Sequence, residues 1–367
     1  MADLIHGGDI YSVREKGNEG KILDFSANIN PLGLPPSVKE AIVLGLAECI
    51  HYPDPLCRVL IRDLAKYETV KEEHLICGNG AADLIFRLVV AKMPHRAMVL
   101  APTFAEYEKS LEAVGCIVKH HYLKEENNFR LSEEILFSLN ESIEMLFLCN
   151  PNNPTGQVMD PSLLRQILAR CKEYNILLVL DECFVDFLEE PEKNTMKDFI
   201  EEYDNLFILK AFTKNFAMPG LRLGYGICSN RKLLDTLSET GQPWAVSLPA
   251  QLAGVQALKE TAYLKKACDL ILEEKVYLQR ELQRLGFKVF PPAANYIFFQ
   301  LPHSKEHYDS RDFKALLQGK NIMVRSCGNY PGLSEEYFRI AVKLHTENEQ
   351  LIKALEEIQR EFPKKAE

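Results

Sequence analysis

The sequence predicts an α/β protein in which a large domain with a mostly parallel sheet is followed by a smaller α+β domain. From about residue 75, short apolar runs such as Met145–Cys149 alternate with stretches of helical spacing. These runs lack alternating polar positions, which is typical of strands that are buried on both faces of a parallel sheet. After Gly241-Gln242-Pro243, a long helical stretch rich in Lys and Glu replaces the alternation and indicates a change of domain.

The elements of the large domain follow one another in a regular order. A strand at His74–Cys77 is closed by the turn Gly78-Asn79-Gly80, and helical spacing runs from Ala81 to Met93. The same reasoning predicts strands at 98–101, 145–149, 176–180, 206–209 and 223–228, and helices at 103–114 and 161–174. In such sheets ligands bind at the carboxyl ends of the strands, so polar residues directly after a strand are the candidates for a site.

The remaining segments are expected to form an arm and a small domain. Leu252–Leu285 predicts one long helix, and strands are expected at 288–290, 296–301 and 338–342 with a helix near 312–318. The predicted organisation is an N-terminal arm over residues 1–44 that packs on the small domain, a large domain over 45–240 and a small domain over 241–367.

Composition and charge exclude several classes of protein. The 367 residues include 43 Lys and Arg against 52 Asp and Glu, a net charge of −9 that argues against a nucleic-acid or polybasic membrane surface. The apolar runs are too short to span a bilayer, and the opening residues lack the basic and apolar pattern of an export signal. We therefore expect a cytoplasmic protein.

Cysteine spacing argues against a metal site. The chain has ten cysteines, and no two of them lie two or three residues apart. Zinc sites use close ligand pairs, and disulfide frameworks belong to small secreted domains. We expect these cysteines to be core residues and predict no metal ligand.

The first candidate for chemistry is Lys214, which follows an apolar strand. Thr213 precedes it, and Arg222 comes eight residues later. An amine that is desolvated next to a cationic side chain can lose its proton and attack a carbonyl carbon to form a Schiff base. Arg222 and the Thr213 hydroxyl are then placed to hold a phosphate. Taken alone, a lysine is usually a solvated surface group.

Two further candidates end neighbouring strands. Asp181 follows a fully apolar run, and a carboxylate there needs a cationic partner such as the pyridinium of pyridoxal phosphate; a helix cap or a surface ion pair is the alternative. Asn153 lies in Asn150-Pro151-Asn152-Asn153-Pro154, where the alternative is a tight turn.

A glycine turn supplies a candidate phosphate site. Gly80, Ala81 and Ala82 open the helix that follows the first predicted strand, and free amides at a helix N-terminus bind phosphate. Many strand-to-helix turns look like this, so the signal is weak by itself.

Together these clusters resemble the fold-type I enzymes that use pyridoxal phosphate, in the branch of aminotransferases near histidinol-phosphate aminotransferase. The resemblance implies that Lys214 bonds the cofactor, that Asp181 partners its ring nitrogen and that Asn153 contacts its ring hydroxyl. It also implies that Tyr107 stacks on the ring and that Gly80, Ala81, Ala82, Thr213 and Arg222 hold the phosphate. Tyr52, in His51-Tyr52-Pro53-Asp54, matches a tyrosine that reaches the neighbouring subunit's cofactor, which implies a homodimer with shared active sites.

Several segments are similar to the threonine-phosphate decarboxylase family of cobalamin biosynthesis. They are His6–Ile10, Leu23–Gly33, Pro102–Tyr107, Gln242–Val246 and Val324–Leu333. The resemblance covers nearly the whole chain and implies a carboxy-lyase that converts L-threonine O-3-phosphate into (R)-1-amino-2-propanol O-2-phosphate. By this match, substrate would be bound by His6, Gly7, Asn28, Asn153, Arg325 and Arg339. One departure is Ala81-Ala82, where relatives often carry acidic or hydroxyl residues, so only a backbone role is expected there.

The residues alone leave alternatives open. The guanidinium group of arginine can form paired hydrogen bonds with a phosphate or a carboxylate, so arginines suit a substrate that carries both. Arg325 and Arg339 are also compatible with surface ion pairs. His6 taken alone is a solvated terminal residue. The competing activities are histidinol-phosphate aminotransferase, with the same fold and cofactor, and a non-catalytic effector-binding module of this fold; the latter ranks low because no basic helix-turn-helix stretch precedes the domain.

Overall fold

A computed structural model describes residues 6–15, 20–302 and 310–361 of the chain. Its strands are β1 (Leu23–Asp24), β2 (Leu75–Gly78), β3 (Arg96–Ala101), β4 (Ile117–Tyr122), β5 (Met145–Cys149), β6 (Leu177–Asp181), β7 (Leu206–Ala211), β8 (Gly224–Ile227), β9 (Lys288–Val289), β10 (Tyr296–Gln300), β11 (Ile322–Met323), β12 (Arg325–Ser326) and β13 (Tyr337–Ala341). Its helices are α1 (Ile10–Glu15), α2 (Pro36–Gly45), α3 (Arg58–Glu68), α4 (Ala81–Lys92), α5 (Glu106–Glu112), α6 (Glu134–Ser138), α7 (Pro161–Glu173), α8 (Pro191–Asn194), α9 (Phe212–Asn215), α10 (Arg231–Thr240), α11 (Leu248–Ala257), α12 (Thr261–Arg284), α13 (Ser310–Gly319) and α14 (His345–Glu361).

The central sheet has seven strands in the order β2-β8-β7-β6-β5-β3-β4. Its neighbours pair in parallel from β4 to β7, and β8 runs antiparallel to both β7 and β2. This confirms the predicted α/β fold with a mostly parallel sheet. Because β5, β6 and β7 lie side by side and run in parallel, their carboxyl ends bring Asn153, Asp181 and Lys214 to one edge of the sheet.

Both faces of this sheet are buried. Along β5, Leu146 and Leu148 pack into one apolar cluster, whereas Met145 and Phe147 pack into the cluster on the opposite face. This alternation explains why the strand is apolar at every position. None of the helices in the described ranges combines the length and apolar character needed to cross a membrane.

A second group of elements surrounds a separate apolar cluster. The antiparallel sheet β12-β13-β10-β9 packs on α12, α13 and α14, and the cluster includes Phe25 of the arm. The arm pairs with this group directly, because β1 is parallel to β11 with Leu23 opposite Ile322. Residues 23–25 thus lie against the segment that carries Arg325.

The expected long helix at 252–285 is two helices. α11 buries Ala250, Ala253 and Ala257 in the core of the central sheet, whereas α12 buries Ile271 and other residues in the second cluster. The helical spacing continues across the short turn after α11, so periodicity alone did not show that the two halves face different cores.

Candidate active site

A cavity of about 530 Å³ lies where the carboxyl ends of the central strands meet the arm and the second group of elements. Its lining combines polar side chains from all three regions. Twelve of the sequence-predicted site residues line it: His6, Gly7, Asn28, Ala81, Ala82, Asn153, Asp181, Thr213, Lys214, Arg222, Arg325 and Arg339.

Lys214 lies in α9, directly after β7, and its amine faces the cavity. Burial, and then the positive charges of Arg339 and Arg222, lower the pKa of this amine to about 8. The amine lies 5.9 Å from the centre of the Phe184 ring, which contributes to its dry surroundings. The neutral fraction of this amine near pH 7 is therefore much larger than that of an ordinary lysine, which favours Lys214 as a nucleophile.

Asp181 is the last residue of β6 and is buried. Its Oδ2 accepts a hydrogen bond of 2.5 Å from the Tyr107 hydroxyl, and its Oδ1 accepts one of 3.0 Å from the backbone N–H of Cys183. Both oxygens are therefore held in place, and the carboxylate lines the cavity. This arrangement suits a fixed partner for a cationic ring nitrogen.

Tyr107 has a different place from the one expected. It is fully buried, does not line the cavity and stacks on Phe147 with ring centres 5.0 Å apart. The aromatic ring that lines the cavity is Phe104, which meets Tyr107 edge-on at 5.5 Å. The expected helix at 103–114 begins only at Glu106, so residues 103–105 form a loop that turns Phe104 towards the cavity.

The glycine turn and Arg222 form a narrow cradle. Gly80 has a φ of +83°, and a Cβ there would lie 2.6 Å from Nη2 of Arg222. A Cβ on Gly224 would lie 2.5 Å from the backbone nitrogen of Ala81. No side chain caps the N-terminus of α4, so its first amides are available next to a guanidinium. Amides and a cation in such a cradle fit a phosphate group.

Arg339 connects three parts of the cavity. Its Nη1 donates to Oδ1 of Asn153, and its Nη2 donates to the carbonyl oxygen of Ser26 at 2.6 Å. Because Oδ1 of Asn153 accepts from Arg339, the amide NH₂ of Asn153 is turned away from the arginine. Within the described ranges, Nε of Arg339 and Oδ1 of Asn28 are buried polar atoms without a hydrogen-bond partner.

Arg325 lies directly opposite Arg339 in the register of β12 and β13. Its guanidinium donates to the carbonyl of Ser326 and, at 2.8 Å, to Oδ1 of Asn329, and it lies 5.0 Å from the centre of the Tyr330 ring. Two adjacent guanidinium groups on one wall give the cavity a strong attraction for anions.

The arm closes one side of the cavity. His6 Nε2 lies 2.6 Å from Oε1 of Glu106, which also accepts from Lys109 at 3.3 Å. A Cβ on Gly7 would lie 2.2 Å from the carbonyl oxygen of Ser26, so this approach of the arm requires glycine.

Sequence reasoning gave no role to Phe104, Glu106, Lys109 and Tyr330, which also line the cavity. The first three lie in or next to the segment Pro102–Tyr107. The sequence of this segment resembles the family motif, but it does not show which of its side chains face the cavity. The predicted residue Tyr52 does not line the cavity: it is 79% exposed and stacks on Trp244 with ring centres 4.5 Å apart.

Comparisons with known proteins agree with this geometry. Residues 20–358 match the family described as aminotransferase class I and II. The chain is 36% identical to threonine-phosphate decarboxylase of Salmonella typhimurium over 360 residues, which cover 96% of each chain.

Solved structures extend the similarity. The histidinol-phosphate aminotransferase of Clostridium acetobutylicum superposes with a TM-score of 0.86 at 30% identity, over 93% of this chain and 100% of that chain. The L-threonine-O-3-phosphate decarboxylase of Porphyromonas gingivalis gives a TM-score of 0.81 at 26% identity, over 92% of this chain and 100% of that chain. With a family match that spans most of the sequence and a fold that agrees with it, the chain belongs to the aminotransferase class I and II family.

Proposed function

We propose that the protein is a pyridoxal-phosphate-dependent carboxy-lyase that converts L-threonine O-3-phosphate into (R)-1-amino-2-propanol O-2-phosphate. The observation that carries this proposal is the pair Arg325 and Arg339, which lie side by side in the register of β12 and β13 and line the same cavity as Lys214. A substrate with a carboxylate and a phosphate supplies the two anions that such a wall attracts. The similarity to relatives named threonine-phosphate decarboxylase supports the same substrate.

The residues present fit pyridoxal phosphate. The cradle of Gly80, Ala81 and Arg222 suits its phosphate, Asp181 suits its ring nitrogen and the outward NH₂ of Asn153 suits its ring hydroxyl oxygen. Phe104, in place of Tyr107, is the ring that would lie against it. When bound, this cofactor accepts the electron pair of the bond that breaks at the α-carbon of the substrate.

The side chains of this protein then have separate tasks. The neutral form of Lys214 would be the nucleophile that holds the cofactor covalently until substrate binds. After the carboxylate has left, the ammonium form of Lys214 is the group placed to deliver a proton to the α-carbon. A pKa of about 8 lets the same amine act in both forms near neutral pH.

The choice between decarboxylation and amino transfer depends on the orientation in which the substrate is bound. The bond that breaks is the one perpendicular to the ring plane, and the enzyme sets this by holding the other substituents. Arg325, Arg339, Asn28 and His6 line the cavity together with Lys214 and would hold the anionic groups of the substrate there.

Product analysis tests the proposal. With O-phosphothreonine we expect CO₂ in a one-to-one ratio with substrate consumed, no keto acid and no glutamate formed from 2-oxoglutarate. Histidinol phosphate lacks the carboxylate and should be a poor substrate. Glutamate that appears at the rate of substrate loss, without CO₂, would instead favour histidinol-phosphate aminotransferase, the activity named for the Clostridium acetobutylicum structure.

We also propose that two copies of the chain pair through the surface around Tyr52. This surface exposes apolar side chains that include Leu44 (74%), Ile50 (84%) and Val59 (56%). Exposed apolar side chains concentrated in one stretch of chain indicate an interface, and the exposed Tyr52 within this stretch would be available to reach a site on a second copy. A cytoplasmic location and a place in cobalamin biosynthesis stay predictions.

Sedimentation tests the pairing. Ile50→Glu should convert a dimer into a monomer that binds the cofactor poorly, whereas Phe137→Glu, at an equally exposed apolar residue elsewhere, should leave the dimer intact. A wild-type protein that sediments as a fully active monomer contradicts the proposal.

A further inference from the structure

The segment that begins at the end of β6 and the segment after β7 carry Asp181 and Lys214, the groups proposed for opposite ends of the cofactor ring. One side-chain hydrogen bond joins these two segments. Asp181 begins the first segment and Lys214 lies in the second. Asp186 follows Asp181 by five positions, and Asn215 follows Lys214 directly. We propose that the Asp186–Asn215 hydrogen bond, supported by Lys210, is a clamp that fixes the position of Lys214 relative to Asp181. This inference rests on the proposed function of Lys214.

The clamp acts on the backbone next to Lys214. Nδ2 of Asn215 donates to Oδ2 of Asp186. The carbonyl oxygen of Asn215 accepts from Nδ2 of Asn30 at 2.7 Å, and the backbone N–H of Asn30 donates to the carbonyl of Lys214 at 3.1 Å. The helix α9 has only four residues, so these external bonds, more than its own turn, determine where Lys214 lies.

Lys210 holds the other side of the clamp. Its amine lies 3.4 Å from Oδ1 of Asp186 and 3.0 Å from Oε1 of Glu68, and the residue is 5% exposed. Glu68 also accepts from the Tyr225 hydroxyl. One oxygen of Asp186 therefore faces an ammonium and the other faces an amide, so its carboxylate has a single orientation.

Neither Asp186 nor Asn215 lines the cavity, so both are positioning residues that act through their neighbours. Between Asp181 and Asp186 lies Phe184, whose ring is near the Lys214 amine. A displacement of Asp186 would thus shift the carboxylate, the aromatic wall and the amine relative to one another. Misplacements of about 1 Å cost about 100-fold in rate in well-organised sites.

Substitutions at Asn215 test the clamp in the cofactor-loaded protein. For Asn215→Ala we expect a kcat at least about 10-fold lower with KM within about 3-fold, weaker cofactor binding and a smaller visible circular dichroism band, because the cofactor loses its fixed orientation. Asn215→Asp places a carboxylate against Asp186 and should be more impaired than Asn215→Ala. Adding Asp186→Asn to Asn215→Asp removes that repulsion and should recover at least about 10-fold in cofactor affinity.

Tyr225→Phe is the matched control. It removes one bond to Glu68 in the same buried network but leaves the Asp186–Asn215 bond in place, so it should lower thermal stability without changing the dichroism band or kcat. The clamp is overturned if Asn215→Ala keeps kcat, cofactor affinity and dichroism within 2-fold, if Tyr225→Phe loses them equally, or if the double variant is no better than Asn215→Asp.

Borohydride reduction of the wild-type protein separates this inference from the proposed function. If peptide mapping finds the pyridoxyl group on another lysine, both are wrong. If the group is on Lys214 but Asn215→Ala behaves as the wild type, the clamp alone is wrong.

Discussion

Lys210 and Lys214 lie four residues apart at the end of one strand, yet their surroundings are opposite. Lys210 is paired with Glu68 and Asp186, and these two carboxylates raise its pKa well above the usual value even though burial opposes them. Burial and the nearby charge of Arg339 lower the pKa of Lys214 to about 8. Around Lys210, at this strand end, positive and negative charges balance and stabilise the fold. Around Lys214 positive charge is in excess, which favours the binding of anions.

Of the substitutions that test this comparison, removal of Lys214 should have the largest effect on activity. The loaded wild-type protein should be yellow, and Lys214→Ala should lose activity by about 10⁴-fold or more because the nucleophile is gone. Absorbance, turnover and borohydride labelling measure this. Residual labelling on a second lysine in this variant would contradict the assignment.

Replacing each lysine by methionine compares their effects on stability. In cofactor-free protein, Lys210→Met should destabilise the fold by about 3–5 kcal/mol because it removes the ammonium that Glu68 and Asp186 share and leaves Glu68 only the more distant Lys197. Lys214→Met should instead stabilise it, by up to about 3 kcal/mol at pH 7, because a buried amine with a lowered pKa is costly to protonate.

The pH dependence gives the sign of the Lys214 contribution. Its folded pKa of about 8 is below the unfolded value of 10.5, so the unfolded state binds more protons between these values. The stability of the wild type should therefore gain from this group as pH rises from about 8 towards 10.5, and Lys214→Met should lack that gain. Denaturant unfolding measured across this range checks it; equal slopes in both proteins would contradict it.

Substitutions of Arg325 and Arg339 should have different effects on cofactor binding. Arg325→Gln should weaken the binding of phosphorylated substrate by about 2–5 kcal/mol and leave cofactor binding unchanged. The sequence predicts the same of Arg339→Gln, but the structure changes that expectation. Arg339 holds Asn153 and lowers the pKa of Lys214, so its loss should also weaken the cofactor and raise that pKa. Absorbance titration against pH separates the two variants, and identical titrations would show that Arg339 does not act on Lys214.

The smallest expected effect is that of Tyr107→Phe. It removes one hydrogen bond to the buried Asp181 carboxylate and should cost about 1.5–3 kcal/mol in cofactor binding. The dissociation constant measured by equilibrium dialysis tests this. A Tyr107→Phe protein that binds the cofactor like the wild type would mean that the Asp181 carboxylate needs no such support.

What could be predicted from the sequence was local in the chain. Asp181 and Lys214 were found because each directly follows an apolar strand, and parallel strands bring their carboxyl ends together. Tyr107 was expected at the cofactor ring, but Phe104 is the aromatic residue that lines the cavity. The two lie three residues apart where a loop becomes a helix, and periodicity does not locate that boundary.

Contacts between distant segments were not predictable in the same way. The Lys210–Glu68 pair joins residues 142 positions apart, and the sequence pattern of either segment says nothing about the other. The contact of Arg339 with Asn153 joins residues 186 positions apart. Lys210 and Arg339 are both buried, and only the three-dimensional structure shows which partners make the burial of their charges tolerable.

The pairing of β1 with β11 has a consequence for how the protein is made. Leu23 meets Ile322 nearly 300 residues further along the chain, and Ser26 and Asn28 follow β1 directly into the cavity. At about 5–20 residues per second, a ribosome that has synthesised the arm needs about 15–60 s more to produce its partner strand. The central sheet can form during that interval, but the anion-binding side of the cavity is assembled last, by a segment that was among the first to emerge.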